Sequence, residues 1–193
     1  MSGQTLLVVG DDRISRLALL RIEAPEDVIV YIDRSRSVGR VIRLVRRGSL
    51  SLPLLLKMTL CEWRRPKVTL RARYAGVSSN AELVRLIAAH APQRIVLFRA
   101  GLIINQAVLS TGVPIMNVHC AKVPEYGGIG SVERALRDGA YDQVATLHQV
   151  TASIDKGEVH AVEPYRLSPT KAYCENEDCA YEAGIRLLRR ILR

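Results

Sequence analysis

Pro114-Ile-Met-Asn117-Val-His119-Cys-Ala-Lys-Val-Pro124-Glu-Tyr-Gly127-Gly128-Ile-Gly-Ser131 is the stretch on which the fold turns. Residues 114–118 predict a strand, and side chains two apart on a strand share a face, so Asn117 and His119 point the same way at its carboxyl end. Open α/β sheets place their ligands beyond the carboxyl ends of strands. Gly127, Gly128 and Gly130 then allow backbone to approach a ligand closely. The pattern continues with a helix over 131–137 that Asp138-Gly139 ends, and a strand over 143–151. A loop follows, reading Ser153-Ile154-Asp155-Lys156-Gly157. Asp155 on that loop can reach His119. An amide donor, a titratable imidazole and a carboxylate to orient it are the parts that acyl transfer needs. The same residues also serve as a strand-end Asn, a hydrogen-bonded core His and a turn Asp, and spacing alone does not choose between the two readings.

Upstream, residues 5–10 form an unbroken apolar run ending in Gly10, which predicts a strand buried on both faces. Asp11 or Asp12 is placed to cap a helix carrying Ile14, Leu17 and Ala18, and Arg21 interrupts its stripe, so a short helix is expected. Residues 28–32 predict a second strand ending at Asp33. This βαβ opening implies a parallel sheet. Residues 34–48 hold Arg34, Arg36, Arg40, Arg43, Arg46 and Arg47 on an amphipathic helix that Gly48 ends. Another helix is expected from about Ser51 to Trp63, followed by a strand or extended segment over 68–74. Ser79 and Glu82 fit a capping box for a helix running to His90. Residues 94–98 predict a strand, Asn105 caps a short helix, residues 159–167 predict a last strand, and Asn176 is expected to cap a final helix. The result is one α/β domain over residues 1–193, with a mostly parallel central sheet flanked by helices.

The chain has 193 residues, nearly half of them apolar, and a formal net charge of +9. Such a charge points to an anionic partner or a solvated basic surface. Only nine aromatic residues are present (seven Tyr, one Phe and one Trp), which argues against a nucleic-acid module built on stacking platforms. A dinucleotide fingerprint is excluded, because Gly10 is followed by Asp-Asp-Arg rather than by small residues. Cys61, Cys120, Cys174 and Cys179 form no Cys-x-x-Cys unit, so no metal site is expected, and free thiols in a cytoplasmic protein are the simplest reading. The apolar run over 50–60 is broken by Pro53 and Lys57 and is too short to span a membrane. No membrane association is expected.

Several ordered motifs together resemble the folate-dependent formyltransferase family. They are Asn117-Val-His119, Pro124, Gly128, Thr146-Leu-His148 and Asp155-Lys-Gly157, with Ile103-Ile104 after the preceding strand. The resemblance runs from about residue 96 to 164 and is architectural before that. It departs from the family at Cys120-Ala121, at Gly127 and at Leu102, where the family more often has a small pair, an Arg and an Arg.

The resemblance implies a Rossmann-like formyltransferase domain. It further implies an enzyme that moves a formyl group from 10-formyltetrahydrofolate to the primary amine of a small acceptor, expected to be anionic from the charge. Asn117, His119 and Asp155 become the expected catalytic residues, and His148 is placed either beside the site or in it. The expected pterin pocket is formed by the backbone of Leu102, Ile103 and Ile104 and by the loop Thr151, Ala152, Ser153 and Ile154. Arg99 and the arginines of 34–47 are candidates for anionic groups of donor or acceptor. Cys120 is read as a small buried hydrophobe rather than a nucleophile. The alternative is a catalytically silent domain of the same fold that binds folate, nucleotide or nucleic acid. The sequence gives no acceptor identity and no oligomeric state.

Overall fold

β1 (Thr5–Val9) is buried along its whole length, as a continuous apolar run requires of a central parallel strand. The structure, a computed structural model, describes residues 3–35, 42, 45, 46, 48, 50–70 and 72–193. A single seven-stranded sheet runs in the order β3-β2-β1-β4-β5-β6-β7, where β2 is Val28–Asp33, β3 Ala75–Val77, β4 Arg94–Phe98, β5 Ile115–His119, β6 Asp142–Gln149 and β7 Val159–Arg166. The pairs among β1–β5 are parallel, and β5–β6 and β6–β7 are antiparallel. β1 has β2 on one side and β4 on the other, so the strand order reverses between β1 and β4.

Alternation along the strands divides the interior into two cores. Leu7, Val9, Val96, Phe98 and Val118 face α1 (Arg13–Ile22) and α6 (Tyr173–Ile191). Leu6, Val8, Ile95, Leu97 and Ile115 face α3 (Asn80–His90) and α4 (Gln106–Leu109). The remaining helices are α2 (Leu52–Arg64) and α5 (Ser131–Arg137). The caps follow the sequence: Asp12, Ser51, Ser79 and Asn105 each accept a backbone N–H of the first turn they precede. The Glu82 carboxylate bonds the backbone N–H and hydroxyl of Ser78 instead of closing the box on Ser79.

Five expectations require correction, the closed Ser79–Glu82 box being the first. The described residues of 68–74 form no strand, and β3 begins at Ala75, paired with Tyr31 of β2. α1 is short, as expected, ending at Ile22, and Arg21 turns outward to ion-pair with Glu182 of α6. Asn176 does not cap α6. The helix starts one turn earlier, and Asn176 is buried inside it, where its amide donates to the carbonyls of Ser168, Lys171 and Ala172 and its oxygen accepts from the Ser168 N–H. Cys61 and Cys174 are not free thiols but form a disulfide between α2 and α6, leaving Cys120 and Cys179 free. The fifth concerns Arg99 and belongs to the site. Most of the arginine-rich helix expected over 34–48 lies outside the described residues.

Beside the disulfide, Arg65 is buried against Glu177 (2.8 Å) and Asp178 (2.8 Å), and its guanidinium lies over the Tyr181 ring. Tyr173 and Tyr181 donate their hydroxyls to the other Glu177 oxygen, so the buried carboxylate is satisfied on both sides. Among the described residues no helix is long and apolar enough to cross a membrane, and no cluster of His, Cys, Asp and Glu could hold a metal ion.

Candidate active site

β5 carries Asn117 and His119, and β6 runs antiparallel beside it in a register that sets Asn117 opposite His148 and His119 opposite Thr146. Directly opposed residues on one face come within side-chain reach. The Asn117 amide nitrogen lies 3.1 Å from Nε2 of His148. Nδ1 of His148 is 3.0 Å from the Gln149 carbonyl oxygen, which can only accept, so Nδ1 carries a hydrogen. In the neutral ring Nε2 therefore presents a lone pair to the Asn117 N–H. The His148 side chain is only 2% exposed.

After β6 the chain turns back through residues 150–157. Val150 packs into the same core as Leu102 and Ile104, and its N–H bonds the Ile115 carbonyl, which fixes where the loop departs. Asp155 sits on this loop in the left-handed region (φ 51°), a conformation Asp tolerates better than most residues. That turn aims the carboxylate between the two histidines: Oδ1 is 3.4 Å from Nε2 of His148, and Oδ2 is 3.8 Å from Nδ1 of His119. The Gly128 N–H donates to Oδ2 at 2.6 Å. A Cβ on Gly127 would come within 2.8 Å of the Asp155 Cβ, so this close approach requires glycine there.

Nε2 of His119 lies 3.1 Å from the Tyr126 carbonyl oxygen. By the same donor logic it holds the hydrogen, and Nδ1 presents its lone pair toward Asp155. Burial pushes the His119 imidazole below its ordinary value, against the opposing pull of Asp155. Burial alone would raise the Asp155 carboxyl, but the neighbouring His148 ring, the charge of His119 and the Gly128 N–H outweigh it and hold it down at about 2. At neutral pH the arrangement is an ionised carboxylate flanked by imidazoles. Such a set can carry a proton and stabilise the imidazolium formed in transit.

The three residues singled out by spacing thus come together, and His148 joins them as the bridge between Asn117 and Asp155. The other expected residues divide. Leu102 and Ile104 are buried in the core, and the Leu102 N–H is already bonded to Asp33 at 2.8 Å. Ile103 is 52% exposed, and its carbonyl accepts from the Asn80 amide at 2.9 Å. Thr151, Ala152, Ser153 and Ile154 form the exposed outer part of the Asp155 loop, with Ile154 64% exposed. Arg99 is not available as a free cation. It makes a two-nitrogen contact with the Asp12 carboxylate (2.8 and 2.9 Å) and stacks on Tyr181 at 4.0 Å. Cys120 is buried, and burial pushes its thiol up to about 12, which suits an inert residue.

The sequence profile described as Formyl transferase matches residues 55–188, more than two thirds of the chain. A methionyl-tRNA formyltransferase from Paracidovorax citrulli is 24% identical over 186 residues, covering 95% of this chain and 55% of that protein. One from Neisseria meningitidis is 27% identical over 107 residues, 55% of this chain and 35% of that protein. The chain therefore matches only about a third to a half of the length of these curated relatives. Among solved structures, phosphoribosylglycinamide formyltransferase from Anaplasma phagocytophilum superposes with a TM-score of 0.68 at 14% identity, covering 98% of this chain and 84% of that one. At that identity the likeness shows the fold.

Proposed function

The chain belongs to the formyl transferase family, and from that premise we propose that its site moves a formyl group from 10-formyltetrahydrofolate to the primary amine of a small acceptor. The observation that carries the reading is the Asp155 carboxylate set between His119 and His148, with Asn117 bonded to His148. The amine attacks the formyl carbon, and the carbonyl oxygen becomes an oxyanion. Asn117 donates to that oxygen. His119 takes the proton released by the attacking nitrogen, Asp155 stabilises the imidazolium, and the proton passes to the folate nitrogen as its bond to the formyl carbon breaks. His148 holds the Asn117 amide in place. Formyl transfer needs no enzyme nucleophile, in keeping with a protonated, buried Cys120.

The pterin would lie against Ile103 and Ile154, apolar side chains exposed on the loops that follow β4 and β6, with main-chain groups of 151–154 reading its edges. The acceptor is expected to be anionic because the chain carries a net charge of +9.

The test is release of tetrahydrofolate from 10-formyltetrahydrofolate, with and without a panel of primary amines, for wild type, His119→Ala and Asp155→Asn. Amine-dependent release that falls at least a hundredfold in both variants supports the reading. Tight folate binding with no release across the panel supports the silent binding domain instead. Release that does not depend on amine indicates hydrolysis, and no folate binding at all removes the donor assignment.

A further inference from the structure

The loop over residues 126–129 meets the site through main-chain groups only. The Tyr126 carbonyl accepts from Nε2 of His119, and the Gly128 N–H donates to Asp155. Two groups on one short stretch thus choose which His119 nitrogen holds the hydrogen and supply the closest donor to the carboxylate. Their placement is only as good as the placement of the loop.

The near side of the loop is tied by its own turn: the Tyr126 N–H bonds the Lys122 carbonyl at 2.8 Å, and the Gly127 N–H bonds the Pro124 carbonyl at 3.3 Å. On the far side the Gly130 carbonyl accepts the Arg134 N–H at 3.1 Å. α5 begins at Ser131 behind Gly130, with no side-chain cap on its first turn. There the Arg134 guanidinium reaches back over Gly130. It donates through one nitrogen to the Gly127 carbonyl and through the other to the Ile129 carbonyl at 2.5 Å. The Gly127 carbonyl and the Gly128 N–H share one planar peptide, so a fork that holds this carbonyl and the Ile129 carbonyl leaves little freedom for that N–H.

We propose that Arg134 is a positioning residue: by bridging the carbonyls of Gly127 and Ile129 it fixes the 126–129 loop so that the Tyr126 carbonyl sets the His119 tautomer and the Gly128 N–H orients Asp155. The catalytic value of this role rests on the formyl-transfer reading; the positioning itself does not. The charged and titratable groups facing His119 are Asp155 from its loop, His148 from β6 and Arg134 from α5. Replacing Arg134 with Lys keeps the charge and removes the fork, so a change in Arg134→Lys reports geometry rather than charge.

The experiment is two-bond proton–nitrogen NMR of the imidazoles across a pH titration of the full chain, for wild type, Arg134→Lys, Arg134→Gln and the control Glu133→Gln. Amine-dependent tetrahydrofolate release is measured on the same samples. The expected result is a single Nε2–H tautomer of His119 in wild type and control, a mixture of tautomers in both Arg134 variants, and release at least tenfold lower in those variants. Wild-type tautomer and titration midpoint in Arg134→Lys and Arg134→Gln would overturn the proposal. Global unfolding of Arg134→Lys, the milder change, would overturn it as well, since Arg134 would then be needed for the fold as a whole. If wild type shows no turnover but the tautomers behave as expected, the positioning stands and the formyl-transfer reading falls.

Discussion

At the scale of single residues the site is governed by which groups stay ionised when partly buried. His119 keeps 17% of its side chain exposed and Asp155 12%. Burial lowers the imidazole's value, so its neutral, proton-accepting form persists below the ordinary histidine value of about 6.5. The acid limb of kcat/KM is therefore expected below that value. Asp155 pulls the His119 value upward, so the limb should move to still lower pH in any residual activity of Asp155→Asn; a pH profile of the two proteins checks this. Stability follows the opposite partner. The Asp155 value is depressed to about 2, so its ionised form contributes above the unfolded value of about 3.9 and is lost as pH falls toward 2. Wild type should exceed Asp155→Asn by about 2 kcal/mol at pH 6 by urea unfolding, and the difference should close on acidification. Under the proposed mechanism Asn117→Ala should cost about 3–4 kcal/mol in kcat through the loss of an oxyanion donor, read from turnover at saturating donor.

At the scale of elements, the loop after β6 works because it closes back on the strand it left. The Gln149 N–H bonds the Glu158 carbonyl at 2.9 Å, and a Cβ on Gly157 would overlap the Gln149 carbonyl oxygen. Gly157→Ala should force this closure open and carry Asp155 away from both histidines. A lowered Tm with loss of turnover is expected, and an unchanged Tm would show that the loop relaxes without the strand. On the other side of the sheet, Arg65→Met leaves Glu177 buried without its guanidinium. That change should cost about 3–5 kcal/mol by urea unfolding, because an unpaired buried carboxylate is the expensive outcome.

At the scale of the whole molecule, the sheet gives the site its rigidity and the disulfide adds a long-range tie. Cys61 and Cys174 are 113 residues apart in sequence, so their bond closes most of the chain into one loop and restricts the unfolded state. Cys61→Ser, or reduction of the wild type, should lower stability by about 2–4 kcal/mol; equal urea midpoints in oxidised and reduced protein would contradict this. Non-reducing mass analysis with thiol labelling would show two labelled cysteines, Cys120 and Cys179, when the bond is intact.

The sequence by itself determined the α/β layering and which residues to examine as a candidate site. Unbroken apolar runs require strands buried on both faces, and β1 and β4 obey. Capping side chains mark helix starts: Asp12, one of two candidates, caps α1, Ser79 and Asn105 cap as expected, and α2 starts at the expected place with Ser51 as its cap. Period two placed Asn117 and His119 on one face, and the ordered motifs linked them to Asp155. The tertiary structure decided what depends on contacts across the chain. The β5–β6 register brought His148 against Asn117, a matter of which strand lies alongside. β3 formed at Ala75–Val77, in parallel register with Tyr31–Asp33 of β2, and no local pattern specifies that register. Asn176 lost its expected capping role to packing, since a buried amide bonded to the 168–172 turn outweighs a local capping preference. Arg99 and the cysteines depended likewise on a distant partner, Asp12 for the first and the Cys61–Cys174 pairing for the second, and no local pattern specifies such a partner.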